Sequence, residues 1–167
     1  MKLLRPMDSA DLEDVLKWRN HPSIRKSMLS QHKISQEEHI RWFELISSDP
    51  AKHSMIYEEE GSRLGYVNFN VIEKHSMADW GFYTSPNAPK GTGKSLGFHA
   101  LSYGFNDLNL NKVCGQALSS NIASINFHLK LGFSQEGILR DQYKQDTVYQ
   151  DIICFGLLQK DWLRNYA

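Results

Sequence analysis

Cysteine is nearly absent, with only Cys114 and Cys154 in 167 residues. Two thiols cannot build a disulfide framework, and a metal site would need more ligands at closer spacing. Both lie inside apolar runs that read as strands, where a thiol behaves as a small hydrophobe. No metal is expected, and a reducing cytoplasm is the expected compartment. An excess of either charge is missing too, since Lys plus Arg and Asp plus Glu number 19 each. No net field draws the chain onto DNA, RNA or an anionic bilayer, so neither nucleic acid nor membrane is an expected partner. No apolar run approaches a membrane span, and Met1 to Arg5 holds no stretch long enough for a secretory leader. Repeats, low-complexity tracts and dividing linkers are absent as well. The length suits one core, and residues 1–167 are expected to form a single domain.

What is present reads as alternating elements. Lys2 to Arg5 is a short strand, after which Asp8 or Ser9 can cap a helix carrying Leu12, Val15, Leu16 and Trp18 on roughly one face. His21-Pro22 stops that helix near Asn20. Ser35-Gln36-Glu37-Glu38 is a capping box for a helix through Ile40, Phe43 and Leu45 to about Ser47, closed by Asp49-Pro50. Met55-Ile56-Tyr57, a turn of three glutamates and Gly61, and Leu64 to Val71 predict a hairpin, and Met77 to Thr84 the next strand. A loop rich in breakers, Ser85 to Gly93, precedes a helix from about Lys94 to Asp107. Lys112 to Leu118 is a buried strand, Asn121 to Leu131 a helix, and Phe133 to Leu139 and Thr147 to Leu158 the last two strands. The order predicts an α/β sandwich around a mixed sheet.

Lys90-Gly91-Thr92-Gly93-Lys94-Ser95 lies between a strand and a helix. Glycines let successive N–H groups turn toward one point, and the helix start adds partial positive charge, so the loop can hold a diphosphate. As a Walker A element it fails on two counts. Alanine 88 stands where the first glycine belongs, and Lys112 to Leu118 ends in Ser119-Ser120 rather than an acid that could support magnesium. A plain structural loop is the remaining alternative.

Together with Asn121-Ile122-Ala123-Ser124-Ile125-Asn126-Phe127-His128-Leu129-Lys130-Leu131-Gly132-Phe133, this loop resembles the GNAT superfamily of N-acetyltransferases. The likeness spans almost the whole chain. It implies a GNAT fold, with a central mixed, mostly antiparallel sheet of about seven strands and helices on both faces. It also implies acetyl-CoA as the acetyl donor. The family's glycines fall at Gly91 and Gly93, while the Gln or Arg that opens its motif would fall at Ala88, so Lys90 or Lys94 would supply that charge. By the same resemblance Phe82, Tyr83 and Thr84 pair with the pantetheine arm, an N–H near Phe82 or Tyr83 faces the thioester oxygen, and Thr92, Ser95, Asn121, Ser124, Phe127 and Lys130 complete the cofactor site. Many relatives carry a tyrosine as general acid seven residues after the asparagine. Here that position is His128, two turns from Asn121 on the same side of the helix and the candidate acid.

The N-terminal part, Trp18-Arg19-Asn20, Arg25, Met28, Ile34 to His39 and Trp42-Phe43, resembles the sugar-nucleotide and ribosomal-protein branch, and Ala78-Asp79-Trp80-Gly81-Phe82-Tyr83 with Asn126-Phe127-His128 narrows the likeness to the sugar-nucleotide members. Those of the pseudaminic acid pathway, which serve flagellin glycosylation, acetylate the 4-amino group of a UDP-linked aminodideoxy sugar. The resemblance makes Arg19, Asn20, Arg25, Met28, His39, Trp42 and Trp80 the candidate substrate residues and implies a homodimer. Arg suits bidentate phosphate binding, and Trp can stack on a base. His39 and Asp79 are candidate bases for the amine. A protein N-terminus, a polyamine, or a non-catalytic acetyl-CoA-binding module are the alternatives. A polyamine site should gather carboxylates, whereas Glu58-Glu59-Glu60 reads as a hairpin turn.

Overall fold

The fold, taken from a computed structural model, is described for residues 1–166. Among these, seven strands form one sheet: β1 (Lys2–Pro6), β2 (Lys52–Glu59), β3 (Ser62–Ile72), β4 (Met77–Thr84), β5 (Lys112–Leu118), β6 (Ser134–Gln145) and β7 (Val148–Leu158). Their order is β1-β2-β3-β4-β5-β7-β6. Only β4 and β5 run parallel. The helices are α1 (Leu12–Asn20), α2 (Pro22–Arg25), α3 (Gln36–Ser47), α4 (Thr92–Ser102), α5 (Ile122–Lys130) and α6 (Gln159–Tyr166). The GNAT fold, a mixed and mostly antiparallel seven-stranded sheet with helices on both faces, is thus present.

Strand alternation decides which helices meet which face. From β4, Ala78, Trp80 and Phe82 point into the core that holds Leu96 and Leu101 of α4, Phe127 of α5 and Trp162 of α6. Tyr83 points the other way and packs with Tyr66, Ile56, Val15 and Trp18 under α1 to α3.

Several boundaries differ from the sequence reading, each for a local reason. Asp8 caps a single 3₁₀ turn, Ser9–Asp11, and exchanges a capping box with Asp11 before α1 begins. Pro22 opens the short α2, with the His21 ring accepting from the Ser23 N–H. Ser35 accepts from the Glu38 N–H as expected, but the Glu38 carboxylate turns to His32, so half of the capping box is missing. The first hairpin turn is only Glu60–Gly61, both with positive φ. Glu58 and Glu59 stay in β2 because Arg5 and Tyr57 donate to them. The α4 helix starts at Thr92 and passes after Ser102 into a π turn, Tyr103–Asp107. β6 continues past a bulge near Asp141, whose N–H is taken by the Asp151 carboxylate, and α6 has no counterpart in the sequence reading.

Candidate active site

β4 and β5 stay in register for three residue pairs, Met77 to Asp79 against Lys112 to Cys114, and then part. A strand carries hydrogen-bonding groups along both edges. One edge of β4 is taken by β3 through Thr84, so past Asp79 the other edge turns unpaired N–H and C=O groups into the opening. The result is a cleft of about 660 Å³. It is walled by Trp80, Phe82, Tyr83 and Thr84 of β4, by Gly115 and Gln116 of β5, and by Asn121, Ser124 and Phe127 at α5; Ile24, Met28 and Leu29 overhang it.

At one end of the cleft lies the start of α4. Gly91 takes a left-handed φ of 96° that suits glycine, and it makes no side-chain cap. The Thr92 and Ser95 amides bond to Pro89 and Gly91, at 3.1 and 3.2 Å. The Gly93 and Lys94 amides come before the first intrahelical acceptor and point out of the helix end. A Cβ on Gly93 would lie 3.8 Å from the Phe127 ring and 4.0 Å from Thr84. Thr92 is 3% exposed, and its hydroxyl has no partner. Free amides, an unpartnered hydroxyl and the positive end of a helix fit a phosphate group. Lys90 and Lys94 are exposed beside them. Ser95 turns its hydroxyl away, onto Tyr57.

His128 is 1% exposed, with its ring stacked on Phe155 at 4.7 Å. Its Nδ1 lies 2.8 Å from the Ser124 carbonyl, so Nδ1 carries the proton and donates it, and its Nε2 accepts the Trp80 indole N–H at 3.1 Å. Burial pushes its pKa down, against the opposing pull of the Ser124 carbonyl. The expectation of a proton donor at His128 does not fit this geometry: the one proton of the neutral ring is committed to a carbonyl, and a second would collide with the indole N–H. The Asn121 carboxamide accepts from the Ser124 N–H at 3.2 Å and so caps α5 while bordering the cleft. Lys130 is exposed at the far end of α5.

His39 also has its pKa lowered by burial. Both rings stay neutral when folded and take up a proton near pH 6.5 once unfolded, so stability is full above that pH and falls as pH drops through it toward the folded values. Urea denaturation at pH 7.5 and 5.5 should show this loss, and His39→Phe should reduce it.

The residues expected around the acceptor divide into three groups. Met28 and Trp80 line the cleft, as does Asp79, the one carboxylate among its lining residues. His39 donates to the Leu12 carbonyl and stacks on Trp42, which packs on Tyr66, so both belong to the core under α1 to α3. Arg19, Asn20 and Arg25 bind chain rather than cleft. Arg19 donates to the Ser30 carbonyl at 2.5 Å, Arg25 donates to Gln31, and the Asn20 carboxamide both donates to and accepts from the Ile34 backbone at 2.8 Å. Together they hold the loop that carries Met28 and Leu29. One Arg19 guanidinium nitrogen is buried without a partner. Gly115 went unnoticed in the sequence and Cys114, read there as a packing thiol, borders the cleft; a glycine inside a buried strand signals a close approach, and that is Gly115's role. Among the described residues no group of three or more His, Cys, Asp or Glu is placed to hold a metal, and no helix is long and apolar enough to cross a membrane.

An elongated cleft that begins at free helix amides and runs along an open strand edge suits a transferase whose donor carries phosphate. The chain matches the acetyltransferase (GNAT) domain over residues 3–134 and belongs to that family. It is 27% identical over 134 residues to acetyltransferase PseH of Campylobacter jejuni, covering 80% of this chain and 83% of the relative. It is 26% identical over 165 residues to spermidine N(1)-acetyltransferase of Escherichia coli, covering 98% and 89%. The crystal structure of spermidine N-acetyltransferase from Vibrio cholerae in complex with CoA and spermine superposes with a TM-score of 0.91 at 24% identity, over 97% of this chain and 98% of that one. The protein is an acetyl-CoA-dependent N-acetyltransferase of the GNAT type.

Proposed function

We propose that this enzyme acetylates the 4-amino group of a UDP-linked aminodideoxy sugar, the step known from pseudaminic acid biosynthesis. The observation that carries this reading is the charge of the segment overhanging the cleft. From Val15 to Gln36 there is no Asp or Glu, while Arg19, Arg25, Lys26 and Lys33 are cationic and Lys17 is paired with Glu13. Ser23, Ile24, Ser27, Met28 and Leu29 of that segment line the cleft itself. None of these cations lines the cleft itself, so they act through their field, which attracts a nucleotide diphosphate and repels a polyamine. The likeness to PseH points the same way.

In this reading the amides of Gly93 and Lys94, with Gly91, Thr92 and the charges of Lys90 and Lys130, hold the diphosphate of acetyl-CoA. The open edge of β4 at Phe82, Tyr83 and Thr84 pairs with the pantetheine arm, and Asn121, Ser124 and Phe127 form the opposite wall. A β4 amide near Phe82 or Tyr83 offsets the charge that develops on the thioester oxygen. Asp79 holds the acceptor amine and takes its proton. His128 acts through Trp80, fixing the indole that walls the cleft. Holding both reactants in line contributes much of the rate, up to about 7–11 kcal/mol.

Asn20 supports the acceptor wall through the loop it clamps. Asn20→Ala removes two hydrogen bonds, so KM for the acceptor should rise about tenfold while KM for acetyl-CoA stays unchanged in steady-state assays.

A polyamine acceptor is the second reading, favoured by the likeness to spermidine acetyltransferases over nearly the whole chain. Release of free thiol from acetyl-CoA decides between the two. With UDP-4-amino-4,6-dideoxy-N-acetyl-β-L-altrosamine, kcat/KM should exceed that with spermidine by on the order of 10². The reverse order would replace the aminosugar with the polyamine.

A further inference from the structure

We propose that Tyr57, acting through Ser95, is a positioning residue for acetyl-CoA: it fixes the rotation of α4 so that the Gly93 and Lys94 amides face the diphosphate. The proposal rests on the reading that the start of α4 holds that group.

Tyr57 is wholly buried in β2, on the side of the sheet that carries α4. Its hydroxyl donates to the Glu59 carboxylate at 2.6 Å and, having spent its proton, accepts from the Ser95 hydroxyl at 2.5 Å. The Lys2 ammonium donates to the Ser95 oxygen at 3.2 Å and lies 3.6 Å from Glu59. The polarity runs one way, from ammonium through two hydroxyls to carboxylate, with no proton contested. Such a chain strengthens its own links where it is poorly hydrated, as it is around the buried Tyr57. On the helix side, His99 donates to the Ser95 carbonyl at 2.8 Å, so Ser95 is held by both its backbone and its side chain.

The consequence follows from helix geometry. Ser95 stands one residue after Lys94 and two after Gly93, and each residue advances 100° around the axis. Holding the Ser95 hydroxyl against β2 therefore sets the direction of both free amides. Core packing of Leu96 and Leu101 seats α4, but apart from the bonds at Ser95 no side-chain hydrogen bond among the described residues fixes its first turn, because Gly91 makes no side-chain cap and Thr92 leaves its hydroxyl unpaired. The side-chain bond that anchors this turn comes instead from a strand residue 38 positions away. The site of this anchor is also shielded from the reacting groups, since neither Tyr57 nor Ser95 lines the main cleft.

Steady-state kinetics of Tyr57→Phe, Ser95→Ala and Ser95→Thr test the proposal in the full chain. Phenylalanine keeps the buried ring. Tyr57→Phe and Ser95→Ala should each raise KM for acetyl-CoA about fivefold to tenfold, the size of one lost hydrogen bond, with kcat and the acceptor KM unchanged. Ser95→Thr, which restores the hydroxyl, should return KM toward the parent value. A lowered melting temperature with an unchanged acetyl-CoA KM would overturn the proposal, leaving Tyr57 a packing residue. If the buried variant does not fold, Glu59→Ala and Lys2→Met remove the last acceptor and the first donor of the same chain and carry the same expectation. Gly93→Val serves as the control for the underlying reading. If it leaves the acetyl-CoA KM unchanged, the diphosphate is held elsewhere; if it raises KM while Tyr57→Phe and Ser95→Ala do not, only the positioning role falls.

Discussion

Gly115→Ala is expected to lower kcat/KM on the order of 10²-fold, although the change adds a single methyl group. The new Cβ would lie 2.8 Å from the Trp80 indole nitrogen, 3.0 Å from His128 Cδ2 and closer still to His128 Nε2. Neither ring can retreat further into the core. His128 is stacked on Phe155 and edge-on to Phe133, and Trp80 packs against Phe82 and Phe133. The indole borders the cleft, so it is the group that must yield, taking the open edge of β4 with it. Overpacking of this kind costs about 1–3 kcal/mol of stability. A displacement of about 1 Å at a reacting site can cost on the order of 10² in rate. Kinetics and urea denaturation on the same preparation separate the two effects. Parent activity in the alanine variant would show that the Trp80–His128 pair does not shape the site.

Asp11→Ala should be strongly destabilising for a polar substitution away from the cleft, lowering unfolding free energy by about 3 kcal/mol. Asp11 has no exposure, and its two oxygens meet both terminal nitrogens of Arg5 at 2.8 Å, the Asp8 N–H at 2.8 Å and Arg63 Nε at 3.0 Å. Burial alone would push this carboxyl's pKa up. The hydrogen bonds from Arg5 and Asp8 and the charges of Arg5 and Arg63 together outweigh burial and hold it low. The network ties β1 and β3 to the turn before α1, and alanine would leave two arginines facing a gap. The loss is kept toward the lower end because Arg5 still reaches Glu58 and Arg63 still reaches Asp14. Stability measured by urea denaturation at neutral pH should fall accordingly. A change below about 1 kcal/mol, the range of an exposed ion pair, would contradict the network's role.

Strand alternation and breaker loops made the sheet and four of the six helices legible in the sequence, and the two motifs around Gly91 and Asn121 pointed to residues that border the cleft. These signals are local. What could not be read depends on partners far along the chain. Asn20 looked like a ligand residue because nothing near it in sequence shows that Ile34 takes both ends of its carboxamide. His39 is tied to Leu12, and Ser95 to Tyr57, by folds of the chain that no window of residues contains. His128 shares α5 with its cap Asn121, as the spacing implied, but its chemistry is set by an indole 48 residues away. The short α6 escaped notice because its Trp162 and Tyr166 pack on Phe98 of a distant helix rather than on a long amphipathic stripe of their own.

The central claim is that the first turn of α4 grips the diphosphate of acetyl-CoA while the thioester lies between β4 and β5. A crystal structure of the protein with coenzyme A tests this most directly. The account predicts phosphate oxygens within hydrogen-bonding distance of the Gly93 and Lys94 amides, and the thiol beside Phe82 and Tyr83. Diphosphate bound at any other place, or a pantetheine arm outside the parting of β4 and β5, would contradict it.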